Sequence, residues 1–119
     1  MSEKMTVQGI EVQYKRINES DFISLTDIAR FKSSEPNNVI ENWMRNRVTV
    51  EYLGLWETLN NPDFKPLEFE GFRKEAGLNA FLLSPQKWST ATGAIGITSK
   101  SGKGGGTFAH KDIAFKFAT

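Results

Sequence analysis

The sequence predicts a single domain of mixed helix and strand structure, and three observations support this class. The chain has 119 residues, which is the length of one ordinary domain with its own hydrophobic core. Hydrophobic residues make up 39% of the chain and aromatic residues 12%, both within the globular range. The apolar residues alternate near both ends and follow a helical period between them. We therefore expect strands toward the two ends and short helices in the middle.

The N-terminal segment "MTVQGIEVQYKRI" predicts a short hairpin or a bent strand, because apolar and polar residues alternate on both sides of Gly9. Its predicted buried face consists of Val7, Ile10, Val12 and Tyr14. A short helix follows in "SDFISLTDIARFK", where Ser24 and Asp27 have the spacing of a capping box. Pro36 marks its end, because the residue before a proline is pushed out of the helical region.

The segment "PNNVIENWMRNR" predicts a second helix with two chemically different sides. The apolar side consists of Val39, Ile40, Trp43 and Met44. The polar side consists of Asn38, Asn42, Arg45 and Asn46. Asparagine and arginine are the side chains that bind adenine and guanine edges in the major groove, and two helices joined by a short break are typical of a helix-turn-helix. The alternative is a polar helix face that is merely solvated.

The rest of the helical region follows the rules for helix ends. Thr49 is positioned to cap "VEYLGLWETLNN". In "KPLEFEGFRKEAG", Pro66 stands near the start and Gly77 at the predicted left-handed end. In "SPQKWSTATG", Ser84 is the predicted N-cap and Gly93 the predicted end. Large aromatic side chains at helical spacing usually pack in the interior, so the predicted core includes Trp43, Trp56 and Trp88.

The glycine-rich segment "SKSGKGGGTFAHKD" predicts the tip of a hairpin, because strand-like runs stand on both sides of it. A Walker A loop is excluded, since Gly96 and Gly102 are separated by five residues and Gly104 follows the lysine. With Lys100 and Lys103 on the tip, we expect its bare backbone to approach phosphates of a nucleic acid. A flexible hairpin without a ligand is the alternative.

Catalytic and metal chemistry have little support. The chain has no cysteine, and its one histidine, His110, would leave a metal site with carboxylates almost alone. Asp112 fits better as a first-turn acid of the helix "KDIAFKFAT" than as a partner of His110. We expect neither an enzyme nor a cofactor. Since that helix is cut soon after it begins, we expect residues 1–119 to be the N-terminal domain of a longer protein.

Charge is segregated along the chain, although the formal net charge is only +1. Residues 28–50 carry four basic and two acidic groups, and residues 76–119 carry five and one. Residues 1–27 carry three basic and five acidic groups, and residues 51–75 carry three and six. This pattern is compatible with one basic and one acidic surface, or with charges that solvate whatever face they fall on. The N-terminus lacks a signal-peptide pattern and no apolar run approaches about 20 residues, so we expect a soluble cytoplasmic protein without a membrane partner.

Several long segments in order resemble the KilA-N domain of bacteriophages and large DNA viruses along nearly the whole chain. They are "ISLTDIARFK", "VIENWMRNR", "EYLGLWETLNNPDFKPLEFEGFRKEAGLNAFLLSPQKW" and "AIGITSKSGKGGGTFAHKDIAFKF". A weaker similarity to the fungal APSES domain lies in "SLTDIARF" and "GKGGGTFAHKDIAFKFA". Both families are regarded as DNA-binding. The resemblance implies an α+β domain with an N-terminal β-hairpin, a helix-turn-helix-like core and a glycine-rich β-hairpin wing, in a protein of the nucleoid or one encoded by a phage.

The resemblance also implies DNA-contact residues on the matching positions. They are Arg30, Lys32, Asn38, Asn42, Arg45 and Asn46 on and before the groove-facing helix, and Lys100, Ser101, Lys103 and Thr107 on the wing. Family members tend to carry a bulkier residue where this chain has Gly104, which implies a weaker wing contact. The resulting function is a module that binds double-stranded DNA and tethers a regulatory or other C-terminal domain. The alternative is a protein-interaction module without nucleic-acid affinity, and the oligomeric state stays open.

Overall fold

A computed structural model describes residues 3–102 and 105–119, which fold into helices packed on one antiparallel sheet. The strands are β1 (Glu3–Val7), β2 (Ile10–Ile17), β3 (Ser20–Ser24), β4 (Ile97–Lys100) and β5 (Gly106–His110). The helices are α1 (Leu25–Lys32), α2 (Pro36–Met44), α3 (Arg47–Asn60), α4 (Pro66–Glu75), α5 (Pro85–Thr92) and α6 (Lys111–Ala118). The predicted α+β class is confirmed.

The sheet joins the two ends of the chain. Its strand order is β1-β2-β3-β5-β4, with Ile23 of β3 opposite Ala109 of β5. The predicted N-terminal hairpin is confirmed as β1 and β2, and the hairpin around the glycines is confirmed as β4 and β5. Strand β3 was not predicted, because its five residues lead directly into α1 and are too few to show a period. This strand makes one sheet of the two hairpins.

The predicted helix caps of α1 and α5 are confirmed. The Ser24 hydroxyl accepts a hydrogen bond from the Asp27 amide at 3.0 Å, and the Ser84 hydroxyl accepts one from the Lys87 amide at 3.1 Å. Gly93 ends α5 in the left-handed region, with φ +71°. Such a backbone conformation favours glycine, because a Cβ atom is strained there.

The region between α2 and α3 differs from the prediction. Helix α2 ends at Met44, so Arg45 and Asn46 lie in the turn and not on the helix. The Asn46 side-chain amide donates to the carbonyl of Asn42 at 3.1 Å. The last carbonyls of a helix have no backbone N–H partner within the helix, so this side chain supplies the missing donor. The prediction that Thr49 caps α3 is wrong, because α3 begins at Arg47 and Thr49 lies inside it.

The core lies between the sheet and the helices. Trp88 is fully buried and Trp56 is 8% exposed, as predicted. Trp43 is only partly buried and packs edge-on against Phe117, with 4.9 Å between ring centroids. On the N-terminal hairpin Val7 and Val12 are buried, whereas Ile10 and Tyr14 are only partly buried against the core.

Candidate nucleic-acid interface

The hairpin formed by β4 and β5, here called the wing, is shaped by close contacts within the chain. A Cβ atom on Gly105 would overlap the Lys100 carbonyl oxygen. One on Gly106, whose φ is +145°, would lie 3.1 Å from the Thr26 hydroxyl. These two glycines are therefore required by the protein's own backbone and side chains. The predicted contact residue Lys103 and the neighbouring Gly104 lie outside the described residues.

A buried threonine attaches the wing to α1. The Thr107 amide donates to the Thr26 hydroxyl at 2.9 Å, and Thr26 is 8% exposed. This bond continues the pairing of β3 with β5 beyond its last pair, Ser24 with Phe108. It fixes the base of the wing against the first turn of α1. This role was not predicted, since a threonine at the start of a helix gives no signal of a distant strand.

A buried carboxylate attaches the start of the wing to α3. Glu57 is 1% exposed and accepts hydrogen bonds from the Ile95 amide at 3.0 Å and the Gly96 amide at 2.7 Å. The side-chain amide of Asn61 donates to the same carboxylate at 3.0 Å. A buried carboxylate is tolerated when several donors face it. Glu57 thereby sets where β4 begins.

Between the wing and the N-termini of α2 and α5 lies a concave surface, here called the wing cleft. It comprises two adjoining cavities of about 380 and 270 Å³. The residues common to both are Asn37, Gln86, Ser99 and Thr107. Arg30, Lys100 and Ser101 line the larger cavity, whereas Glu41 lines the smaller one. The cleft therefore has a neutral hydrogen-bonding centre, a basic end and an acidic end.

Only some of the predicted contact residues line this cleft. Those that do are Arg30, Lys100, Ser101 and Thr107. Those that line neither of its cavities are Lys32, Asn38, Asn42, Arg45 and Asn46. Of the four residues common to both cavities only Thr107 was predicted, and Asn37, Gln86 and Ser99 were missed. Asn37 could have been found by extending the polar side of α2 one residue toward its start. Gln86 belongs to a helix for which only the caps and the core residue Trp88 were predicted.

Three of the four residues predicted for the polar side of α2 donate intramolecular hydrogen bonds from their side chains, namely Asn38, Arg45 and Asn46. The side-chain amide of Asn38 donates to Glu35 at 3.2 Å. The Arg45 guanidinium donates to the Asn79 carbonyl at 2.7 Å. Asn42 and Glu41 are both exposed on the same helix. An acidic side chain thus shares the exposed surface of α2 with the asparagines.

The basic end of the cleft has cations that can reach a ligand. The Arg30 guanidinium lies 3.3 Å from the Asp27 carboxylate, but 64% of the arginine side chain is exposed. Exposed ion pairs contribute little, about 0–1 kcal/mol, so Arg30 can exchange this partner for another anion. Lys100 is exposed and forms no ion pair within the described part of the chain.

His110 has a structural role. Its Nδ1 atom accepts a hydrogen bond from the Asp112 amide at 3.1 Å, so the imidazole caps the start of α6. Its ring packs against Trp56, with 4.9 Å between centroids. The prediction that Asp112 lies in the first turn of a helix is confirmed. In residues 3–102 and 105–119, no three histidine, aspartate or glutamate side chains cluster as metal ligands would.

The fold and the cleft define a small α+β domain in which a β-hairpin stands beside helix N-termini. Residues 5–119 match the family model of the KilA-N domain. The chain therefore belongs to the KilA-N domain family, which is a family of DNA-binding domains and not of enzymes. Searches of curated proteins and of solved structures gave no match. Within the described ranges, no helix has the length and hydropathy that a membrane span requires.

Proposed function

We propose that this domain binds double-stranded DNA with the exposed surface of α2 and with the wing cleft. One observation carries the proposal: the end of α1, the start of α2 and the wing converge on one concave surface. Four residues expected to contact DNA line that surface, namely Arg30, Lys100, Ser101 and Thr107. They come from parts of the chain that are distant in sequence, so their proximity is a result of folding.

The charge distribution supports the same surface. Apart from Thr26, every residue that lines the wing cleft belongs to residues 28–50 or 76–119, the two stretches with a basic excess. Neutralising phosphates with such residues releases counterions, which is the main source of sequence-independent affinity for DNA. Within the cleft the cations are Arg30 and Lys100 at one end and the acid is Glu41 at the other, so the basic end is where duplex phosphates bind in this proposal.

The two elements have different roles in the proposal. Helices α1 and α2 are joined by residues 33–35 and act as a helix-turn-helix, with Asn38 and Asn42 reading base edges. The wing holds the phosphate backbone. Lys32, Arg45 and Asn46 flank α2 and add contacts at its ends. The proposal includes a regulatory or other C-terminal domain that this module brings to DNA.

The test is a fluorescence anisotropy titration of a labelled duplex of about 25 base pairs at about 50 and about 200 mM salt. Micromolar binding that weakens steeply with salt, and that resists an excess of the single strand, supports the proposal. The variant Lys100→Gln should lower the salt slope by about 0.9, because one phosphate contact is lost. Lys74→Gln makes the same charge change on α4, away from the cleft, and should leave the slope unchanged.

A second candidate function is docking of a partner protein, which exposed apolar side chains on α3 favour. Val48, Leu55 and Leu59 are 66%, 58% and 73% exposed and lie on one side of this helix. Most of α3 belongs to residues 51–75, the stretch with an acidic excess. Exposed apolar surface rimmed by charge is typical of protein interfaces. Flat anisotropy at both salt concentrations would overturn the DNA proposal and favour this one.

A further inference from the structure

Two helices begin at the wing cleft, and each presents an unused backbone donor there. Both start with a proline at the first helical position, so the first free N–H of α2 belongs to Asn37 and that of α5 to Gln86. Neither amide donates a hydrogen bond within the described part of the chain. Both residues line both cavities of the cleft. Amides at helix N-termini attract anions through their N–H groups and the helix dipole.

A largely buried threonine of β5, with a hydroxyl that has no partner, lines the same space and points independently to a ligand. Thr107 is 5% exposed and lines both cavities. Its backbone amide is bonded to Thr26, but its hydroxyl makes no hydrogen bond to residues 3–102 or 105–119. The fully buried unpaired polar atoms of the described residues are the ring N–H groups of Trp56 and Trp88, so the unpaired Thr107 hydroxyl is still accessible and can donate to an oxygen of a bound group. Ser99 lies opposite it in the sheet and brings a second hydroxyl.

The charges around the cleft place an anion at one end of it. Lys100 and Arg30 line the larger cavity, whereas Glu41 lines the smaller one and would repel an anion. Glu35 precedes α2, but its carboxylate accepts the side-chain amide of Asn38 and lines neither cavity. The favourable position is therefore between the two helix N-termini and Lys100.

We propose that the larger cavity of the wing cleft binds a phosphate group. The amides of Asn37 and Gln86, the hydroxyl of Thr107 and the cation of Lys100 are its ligands. In a complex with duplex DNA the group is a backbone phosphodiester, and the inference then rests on the proposed function. It adds α5, of which only Trp88 was given a predicted role, in the core, as a third contact element beside α2 and the wing.

The first experiment follows backbone amides by 1H–15N NMR while inorganic phosphate is added at constant ionic strength, with chloride as the control salt. The amides of Asn37 and Gln86 should shift saturably with phosphate and not with chloride. Gln86→Glu places a carboxylate at the site and should abolish the shift at Asn37. This variant should fold, because an acid in the first turn of a helix is favourable. Unchanged shifts in the variant, or shifts as large with chloride, would overturn the phosphate site.

The second experiment measures duplex affinity of Gln86→Glu against Thr90→Glu, which adds the same charge one turn further along α5 and outside the cleft. Gln86→Glu should bind duplex about tenfold more weakly than Thr90→Glu, the usual effect of losing a charge-assisted hydrogen bond. Thr107→Val, which keeps the shape of the side chain, should also weaken binding. Equal affinities of the two glutamate variants, with duplex binding intact, would overturn the phosphate site and leave the proposed function standing. Phosphate binding without any duplex binding would support the site for a free phosphate and overturn the proposed function.

Discussion

Two buried polar side chains hold the wing in place, and each bonds a wing amide that is distant from it in sequence. Thr26 accepts a hydrogen bond from the amide of Thr107, 81 residues away. Glu57 accepts one from the amide of Gly96, 39 residues away. When an amide loses its acceptor, the free energy of unfolding falls more for a buried amide than for an exposed one, because water cannot replace the lost bond. The position of the wing therefore depends on single atoms of α1 and α3.

Replacing Thr26 with valine should lower the free energy of unfolding by about 1–3 kcal/mol, because the buried Thr107 amide is left without an acceptor. Thr26→Ser keeps the oxygen and is the control, expected to lose less than about 1 kcal/mol. Urea denaturation followed by tryptophan fluorescence measures both. Equal losses in the two variants would mean that the methyl group matters and the hydrogen bond does not.

Glu57→Gln should lower the free energy of unfolding by about 2–3 kcal/mol. The glutamine NH₂ group must face at least one of the amides that now donate to the carboxylate, and hydrogen bonds to charged groups are the stronger ones. Glu75→Gln, an exposed carboxylate at the end of α4, should change stability by no more than about 0.5 kcal/mol. Calorimetry of the two variants side by side would decide, and similar melting temperatures would contradict the role given to Glu57.

At the scale of elements, close helix packing explains one helical glycine and leaves another unexplained. On α3, a Cβ atom at Gly54 would overlap the ring of Phe69 on α4. On α4, a Cβ atom at Gly71 would meet nothing within 4 Å. The first glycine permits close contact between α3 and α4, whereas nothing in the structure requires the second. Glycine inside a helix is otherwise unfavourable, because it loses more backbone freedom than alanine.

Alanine at these two positions should therefore have opposite effects. Gly71→Ala should raise the free energy of unfolding by about 0.5–1 kcal/mol through helix propensity. Gly54→Ala should lower it by about 1–3 kcal/mol, because the added methyl group forces Phe69 out of its position. Chemical denaturation gives both values. A stabilising Gly54→Ala would show that the ring of Phe69 moves without loss.

At the scale of the whole molecule, the pairing of β3 with β5 joins the N-terminal hairpin to the wing. Helices α1 and α6 pack against this sheet, and α3 contacts its edge through Glu57. The two basic stretches of the chain meet on one side, at the wing cleft. Strand β5 belongs both to the sheet and to the cleft, and displacing it would disrupt both, so we expect the domain to fold as one unit.

Unfolding should then be a single cooperative transition. Tryptophan fluorescence reports on α2, α3 and α5, which carry Trp43, Trp56 and Trp88. Hydrogen exchange at Ile23 and Ala109 reports on the junction of the two hairpins. All of these probes should give the same free energy of unfolding. A lower value at Ile23 and Ala109 than from tryptophan fluorescence would contradict a single unit.

Local signals in the sequence predicted much of the secondary structure. The capping serines Ser24 and Ser84, the alternation around Gly9 and the strands on both sides of the glycine string were all confirmed. Each of these signals acts over a few residues, through a turn, a cap or a side-chain period. The end of α2 was missed, because Asn46 closes the helix with a bond to a backbone carbonyl that composition does not reveal. The DNA contacts themselves stay predictions.

The sequence by itself determined the class of the domain, its family and the two strands that flank the glycine string of its wing. Only the tertiary structure decided that β3 pairs with β5, that Thr26 and Glu57 hold the wing, and that Asn37 and Gln86 meet at one cleft. The physical reason is distance along the chain. Periods, caps and turns depend on neighbours, whereas a contact between residues 81 positions apart depends on how every element between them packs.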